Sequence, residues 1–61
     1  MVVRVVEGEF GDKELCVLDT CYLPTIGDIL VLDKVKGSWK VIKRVFIYTL
    51  GEIYIHVKDY V

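Results

Sequence analysis

Residues that carry out chemistry are scarce in this chain: one histidine (His56), one serine (Ser38) and two cysteines (Cys16 and Cys21). Acid–base and nucleophilic catalysis need such groups held beside one another. Asp19 and Asp59 are the carboxylates that strand pairing could bring to His56, but no nucleophile motif surrounds Ser38. A small barrel also leaves little room for a water-excluding cleft. The expectation is a protein that is not an enzyme. Metal ligands are equally short. A structural zinc is held by a full tetrahedral set, and beyond the C-x4-C pair only His56 remains as a soft ligand. Glycine-rich phosphate loops are missing as well, so no metal and no cofactor are expected.

Long apolar runs are absent. The longest are residues 29–32 and 45–48, far below the ~20 residues of a spanning helix. The start, Met1-Val2-Val3-Arg4, lacks the basic region and apolar core of a secretory signal. A cytoplasmic protein with no membrane contact is expected, and its opening methionine suggests a complete short gene product. In that compartment the two thiols stay reduced. A strand between Cys16 and Cys21 would separate them by about 15 Å, whereas a disulfide needs Cα atoms within about 7 Å. At least one of them is expected to pack in the core.

What the chain does have is apolar mass. Of its 61 residues, 54% are hydrophobic, and the mean hydropathy is +0.47. One domain fits this length, residues 1–61, and a domain so short buries only about 60% of the surface its unfolded chain exposes. Such a core cannot absorb all the apolar side chains, and large exposed apolar patches mark interaction sites. The formal net charge of −1 argues against a general polyanion binder. Charge is nevertheless split along the chain. Residues 1–33 hold two bases and seven acids, and residues 34–61 hold six bases and two acids. If the fold keeps the halves apart, the surface is two-signed and suited to self-association or to steering a charged partner.

Five glycines punctuate the chain at Gly8, Gly11, Gly27, Gly37 and Gly51, as tight turns with positive φ require. Between them lie stretches rich in Val, Ile, Tyr, Phe and Leu, which suit a pleated surface. Strands are expected at residues 2–6, 14–21, 29–32, 39–48 and 53–58. In the last, Ile53, Ile55 and Val57 alternate with Tyr54, His56 and Lys58, the period of a half-buried strand. The fourth breaks phase at Lys43-Arg44, where a bulge would let either Val45 and Ile47 or Phe46 and Tyr48 face the core. Residues 25–28 could make one helical turn; nothing longer is expected. Short strands with regular turns imply an all-β, five-stranded barrel, in which closure removes exposed edges.

The segment from Leu23 to Val45 contains Pro24, Gly27, Asp28, Ile29 and Val31, then Gly37, Val41 and Val45. It resembles the P-x-x-G-D lead-in to a strand of SH3-like small barrels, including the KOW-type barrels of ribosomal and transcription-elongation proteins and short phage and bacterial small-barrel proteins of no assigned function. The resemblance implies an SH3-like barrel. Where the KOW pattern places a glycine, this chain has Trp39 and Lys40, so ribosomal or polymerase binding is not carried over.

Two surfaces are candidates. Tyr22, Phe46, Tyr48, Tyr54 and Tyr60 are aromatic residues of the kind enriched at protein interfaces. Tyr54 and Tyr60 are expected on the outer face, with Phe46 and Tyr48 beside them. They imply a protein-interaction module that forms a homodimer; size and general resemblance add the expectation of a phage- or mobile-element-encoded inhibitor of a bacterial host protein. The alternative is a nucleic-acid-binding barrel that uses Lys34, Lys36, Lys40, Lys43 and Arg44 for phosphates and Trp39 for base stacking.

Overall fold

Five β-branched side chains, Val3, Val5, Ile53, Ile55 and Val57, lie at alternate positions of the first and last strands. Such side chains pack well on a pleated sheet and poorly on a helix. The computed structural model, which describes residues 2–33 and 35–60, pairs these two segments directly. Strand β1 (Val2–Glu7) runs parallel to β5 (Glu52–Asp59), with Val3 opposite Ile53 and Val5 opposite Ile55. Antiparallel hairpins extend the sheet on both sides. β2 (Lys13–Asp19) pairs with β1, β4 (Ser38–Ile47) pairs with β5, and β3 (Ile29–Val31) pairs with the start of β4. The order is β2-β1-β5-β4-β3.

The fold is thus all-β, a five-stranded sheet curled into a half-barrel and consistent with a small SH3-like barrel. Expected strand bounds shift by at most one residue, except that β2 ends at Asp19, two residues before Cys21. The expected closure does not occur: β2 and β3, the two outermost strands, do not pair with each other. No helix among the described residues is long and apolar enough to cross a membrane.

Two bulges curl the sheet. In β2 the pairing slips so that Val5 faces Cys16 while Val6 faces Glu14, leaving Leu15 as the extra residue. Leu15 and Cys16 both pack against the core as a result. In β4 the slip leaves out Ile42, between Val41 opposite Val57 and Lys43 opposite His56. It falls one residue before the phase break seen in the sequence. Bulges bend and twist the strand that carries them, so the inner face becomes concave around Val3, Val5, Trp39, Val41, Ile53, Ile55 and Val57.

The chain from β2 to β3 spans the sheet lengthwise. It leaves at Asp19, beside Val2, and arrives at Asp28, beside Val41. On the way Leu23 packs against the core. The P-x-x-G-D residues latch this segment down. Asp28 Oδ2 accepts from the Thr25 amide at 2.8 Å and from the Thr25 hydroxyl at 3.1 Å. Gly27, at φ 97°, donates to the Val41 carbonyl at 2.9 Å, and the Val41 amide donates to Asp28 at 2.9 Å. A residue with Cβ is strained at that φ. One hydrogen-bonded turn over residues 25–28 takes the place of the helical turn expected there.

Ile55 is fully buried at the centre of the sheet. Ile55→Ala is expected to destabilise the fold by ~2–5 kcal/mol. Urea denaturation followed by tryptophan fluorescence measures this, and a loss below about 1 kcal/mol would mean that the core lies elsewhere.

Candidate functional site

Strand β4 and the residue after it bring three flat groups into one row. Beyond the Ile42 bulge, Arg44 pairs with Ile55 and Phe46 with Ile53, so even-numbered residues now face inward. The Arg44 guanidinium lies 5.4 Å from the centre of the Phe46 ring, within cation–π range. Phe46 in turn stacks on Tyr48, with centroids 6.1 Å apart and planes 13° off parallel. Phe46 therefore lies on the inner side of the sheet, one of the two arrangements the sequence left open, and not beside Tyr54 on the outer face. The bulge, one residue earlier than expected, decides the parity.

This row borders a groove of about 120 Å³ lined by Phe46, Ile47, Tyr48, Gly51, Glu52 and Ile53. Tyr48 is 89% exposed. Leu50, in the adjoining turn, is exposed as well. Among the described residues the one carboxylate on the rim, Glu52, is already occupied: it accepts from Arg4 Nε at 3.1 Å. Arg4 also donates from Nη1 to Glu14 at 2.9 Å. The hydrogen bond to Glu14, and after it those to Glu52, push the guanidinium pKa above its already high ordinary value. Strand β3 covers only Ser38–Lys40 of β4, so among the described residues no strand pairs with the outer edge of β4 beside the groove.

The other predicted aromatics do not join this row. Tyr54 is half-buried on the outer face, between Arg4 and Val45. Tyr60 lies at the opposite end of the sheet, where its amide donates to Ser38 at 2.9 Å. Tyr22 is exposed in the segment that crosses from β2 to β3. Phe10 and Leu50, which the sequence reading passed over, are among the most exposed apolar side chains. The signal was there: each is a large apolar residue inside a glycine-marked turn, where nothing packs on it.

The basic set is dispersed. Lys34 lies outside the described residues. Lys36 is exposed in the loop before β4. Lys40 sits opposite Lys58 on the outer face, Lys43 lies opposite His56, and Arg44 faces inward. Trp39, the proposed base-stacking residue, is 8% exposed and belongs to the core. Its Nε1 has no hydrogen-bond partner.

His56 was expected on a polar face, and the structure buries it to 7% exposure. The β1–β2 turn folds over it. His56 Nδ1 lies 2.9 Å from the Gly8 carbonyl. Because a carbonyl only accepts, Nδ1 is the protonated nitrogen in this arrangement. Lys43 Nζ donates to the Glu9 carbonyl at 2.7 Å, and the Gly8 amide donates to Val57 at 2.8 Å. Gly11 closes the lid at φ 69°; a Cβ there would sit 3.4 Å from His56 Cε1 and 3.5 Å from Val6. His56 thus anchors a turn, and its Nδ1 partner is a carbonyl rather than Asp19 or Asp59. No disulfide joins Cys16 and Cys21, of which the first packs against the core. Among the described residues no three His, Cys, Asp or Glu side chains gather around a possible metal position.

Comparisons with protein-family models, with curated proteins and with solved structures give no match.

His56→Ala removes the donor to Gly8 and opens the space beneath the turn. It is expected to cost about 1–3 kcal/mol and to speed amide exchange at residues 8–12 first. Exchange in that turn no faster than in the native protein would show that His56 does not hold it.

Proposed function

We propose that this protein is a non-enzymatic, cytoplasmic protein-interaction module that associates with itself through the groove end of its sheet. One observation carries the reading. Phe46, Tyr48 and Leu50 are exposed together around an apolar groove whose only carboxylate among the described residues is already bound to Arg4. Exposed apolar surface of this kind drives association because covering it releases water. Aromatic side chains at such a surface give large contact area at small entropic cost. A neutralised rim adds little desolvation penalty. The curled sheet supports the row from behind, so the groove walls are preorganised. The nucleic-acid reading has less support. Its stacking residue, Trp39, lies in the core, and its cations point to both faces of the sheet.

Light scattering across a concentration series tests the reading. The native protein is expected to exceed the monomer mass, and Tyr48→Ala to raise the dissociation constant at least ~10-fold, about 1.4 kcal/mol. Tyr48 is exposed, so the variant keeps its fold. A monomer at every concentration up to millimolar would end this proposal. Gel shifts on single- and double-stranded DNA and RNA at low salt test the rival and are expected to show none.

A further inference from the structure

The sheet carries a second exposed aromatic feature at its other end. Val2 pairs with Glu52 and Glu7 with Val57, so the groove and the β1–β2 turn lie at opposite ends of the central strands. Phe10 sits in that turn and is 85% exposed. The turn itself is firmly held. Gly8 donates to Val57, Gly11 to Gly8, Asp12 to Glu7 and Lys43 to Glu9, and His56 is bonded to Gly8. An apolar ring displayed on a pinned turn loses little freedom on docking, which is what makes an anchor residue effective.

We infer that self-association is head-to-tail: Phe10 of one copy enters the groove of Phe46, Tyr48 and Ile53 on the next. This rests on the self-association reading above and specifies its geometry. Size supports it. The groove, about 120 Å³ and open on one side, is of the same order as the ~150 Å³ apolar cavity that takes up a benzene ring. Charge supports it as well. Glu9 precedes Phe10 and is exposed, and among the described residues its carboxylate makes no ion pair. Arg44 stands beside the groove over Phe46, and among the described residues it makes no ion pair either. With Phe10 seated, Glu9 comes within reach of Arg44. A symmetric contact of groove on groove would instead bring two Arg44 side chains towards each other. Because the two surfaces lie at opposite ends of one chain, the contact is heterologous, and copies add in a row or close into a ring.

Sedimentation velocity on two variants tests this geometry. Phe10→Ala lacks the knob and Tyr48→Ala lacks a groove wall; both sites are exposed, so both variants fold. Each alone is expected to associate at least ~10-fold more weakly than the native chain. Mixed in equal amounts, they are expected to form two-chain particles with native affinity, because the intact knob of one meets the intact groove of the other. Growth stops at two chains because the remaining ends are damaged. A Phe10→Ala protein that associates like the native chain overturns the head-to-tail contact and leaves self-association standing. A mixture no more associated than its components overturns it too. A native chain that stays monomeric removes both proposals. As a further check, Glu9→Arg and Arg44→Glu are each expected to weaken association and, combined in one chain, to restore it; failure of the double variant to recover speaks against the Glu9–Arg44 contact.

Discussion

The parallel contact between β1 and β5 is the constraint on which the other elements depend. It joins residues about fifty positions apart and sets Val3 on Ile53 and Val5 on Ile55. Val57 continues the ladder to Val41 on β4. Parallel strands cannot be joined by a tight turn, so everything between β1 and β5 must travel out and return. The hairpins at either side and the crossing segment between them are consequences of that requirement. Among the described residues no helix covers the concave face. Leu23, Leu30, Leu32 and Val35 do so from the crossing segment, β3 and the residues after it. The cover is incomplete, and the uncovered part is the groove end.

Strand lengths explain where the cover fails. β4 is ten residues long, whereas β3 is three and pairs only with Ser38–Lys40. Among the described residues, the far part of β4 therefore has β5 on one side and no strand on the other. The Ile42 bulge then turns Arg44 and Phe46 inward over this half-covered stretch. A bulge redirects side chains at the cost of one unpaired residue, and here it produces a row of flat groups that the core does not bury. The same bulge places Lys43 opposite His56, where it can reach the Glu9 carbonyl and help hold the β1–β2 turn. One irregularity thus shapes both the groove and the fixing of Phe10 at the opposite end.

The sheet order also decides what becomes of the divided charge. β1 and β2 belong to the acidic half and lie together, while β4 and β5 belong to the basic half. The halves meet along the β1–β5 seam, where Arg4 binds Glu52 and, across the hairpin, Glu14, and again where β3, of the acidic half, pairs with β4. Arg4 is one of only two bases in the acidic half, and Glu52 one of only two acids in the basic half. These two meet at the boundary, whereas Lys13 lies on β2 opposite Glu7 and Asp59 on β5 opposite Trp39. On the outer face Lys40 and Lys58 stand opposite each other and keep the sign of their half.

Residue order alone determined the fold class, the number of strands and the core of β5. β-branched alternation and glycine spacing are local signals, and all five glycines do adopt positive φ. It also determined that apolar side chains would exceed what so small a core can bury. Tertiary structure decided the rest. The parallel pairing of β1 with β5 has no local signature, because strands of either sense read alike. The half-open sheet follows from the reach of β3, which no short segment specifies. The burial of His56 depends on a turn from the other end of the chain folding over it, and the inward turn of Phe46 depends on the position of one bulge. Trp39, plausible as a surface stacker beside four lysines, became core because Leu30 and the β4–β5 register closed around it. Period-two patterning tells which residues share a face, but only long-range packing tells which face is covered and by what.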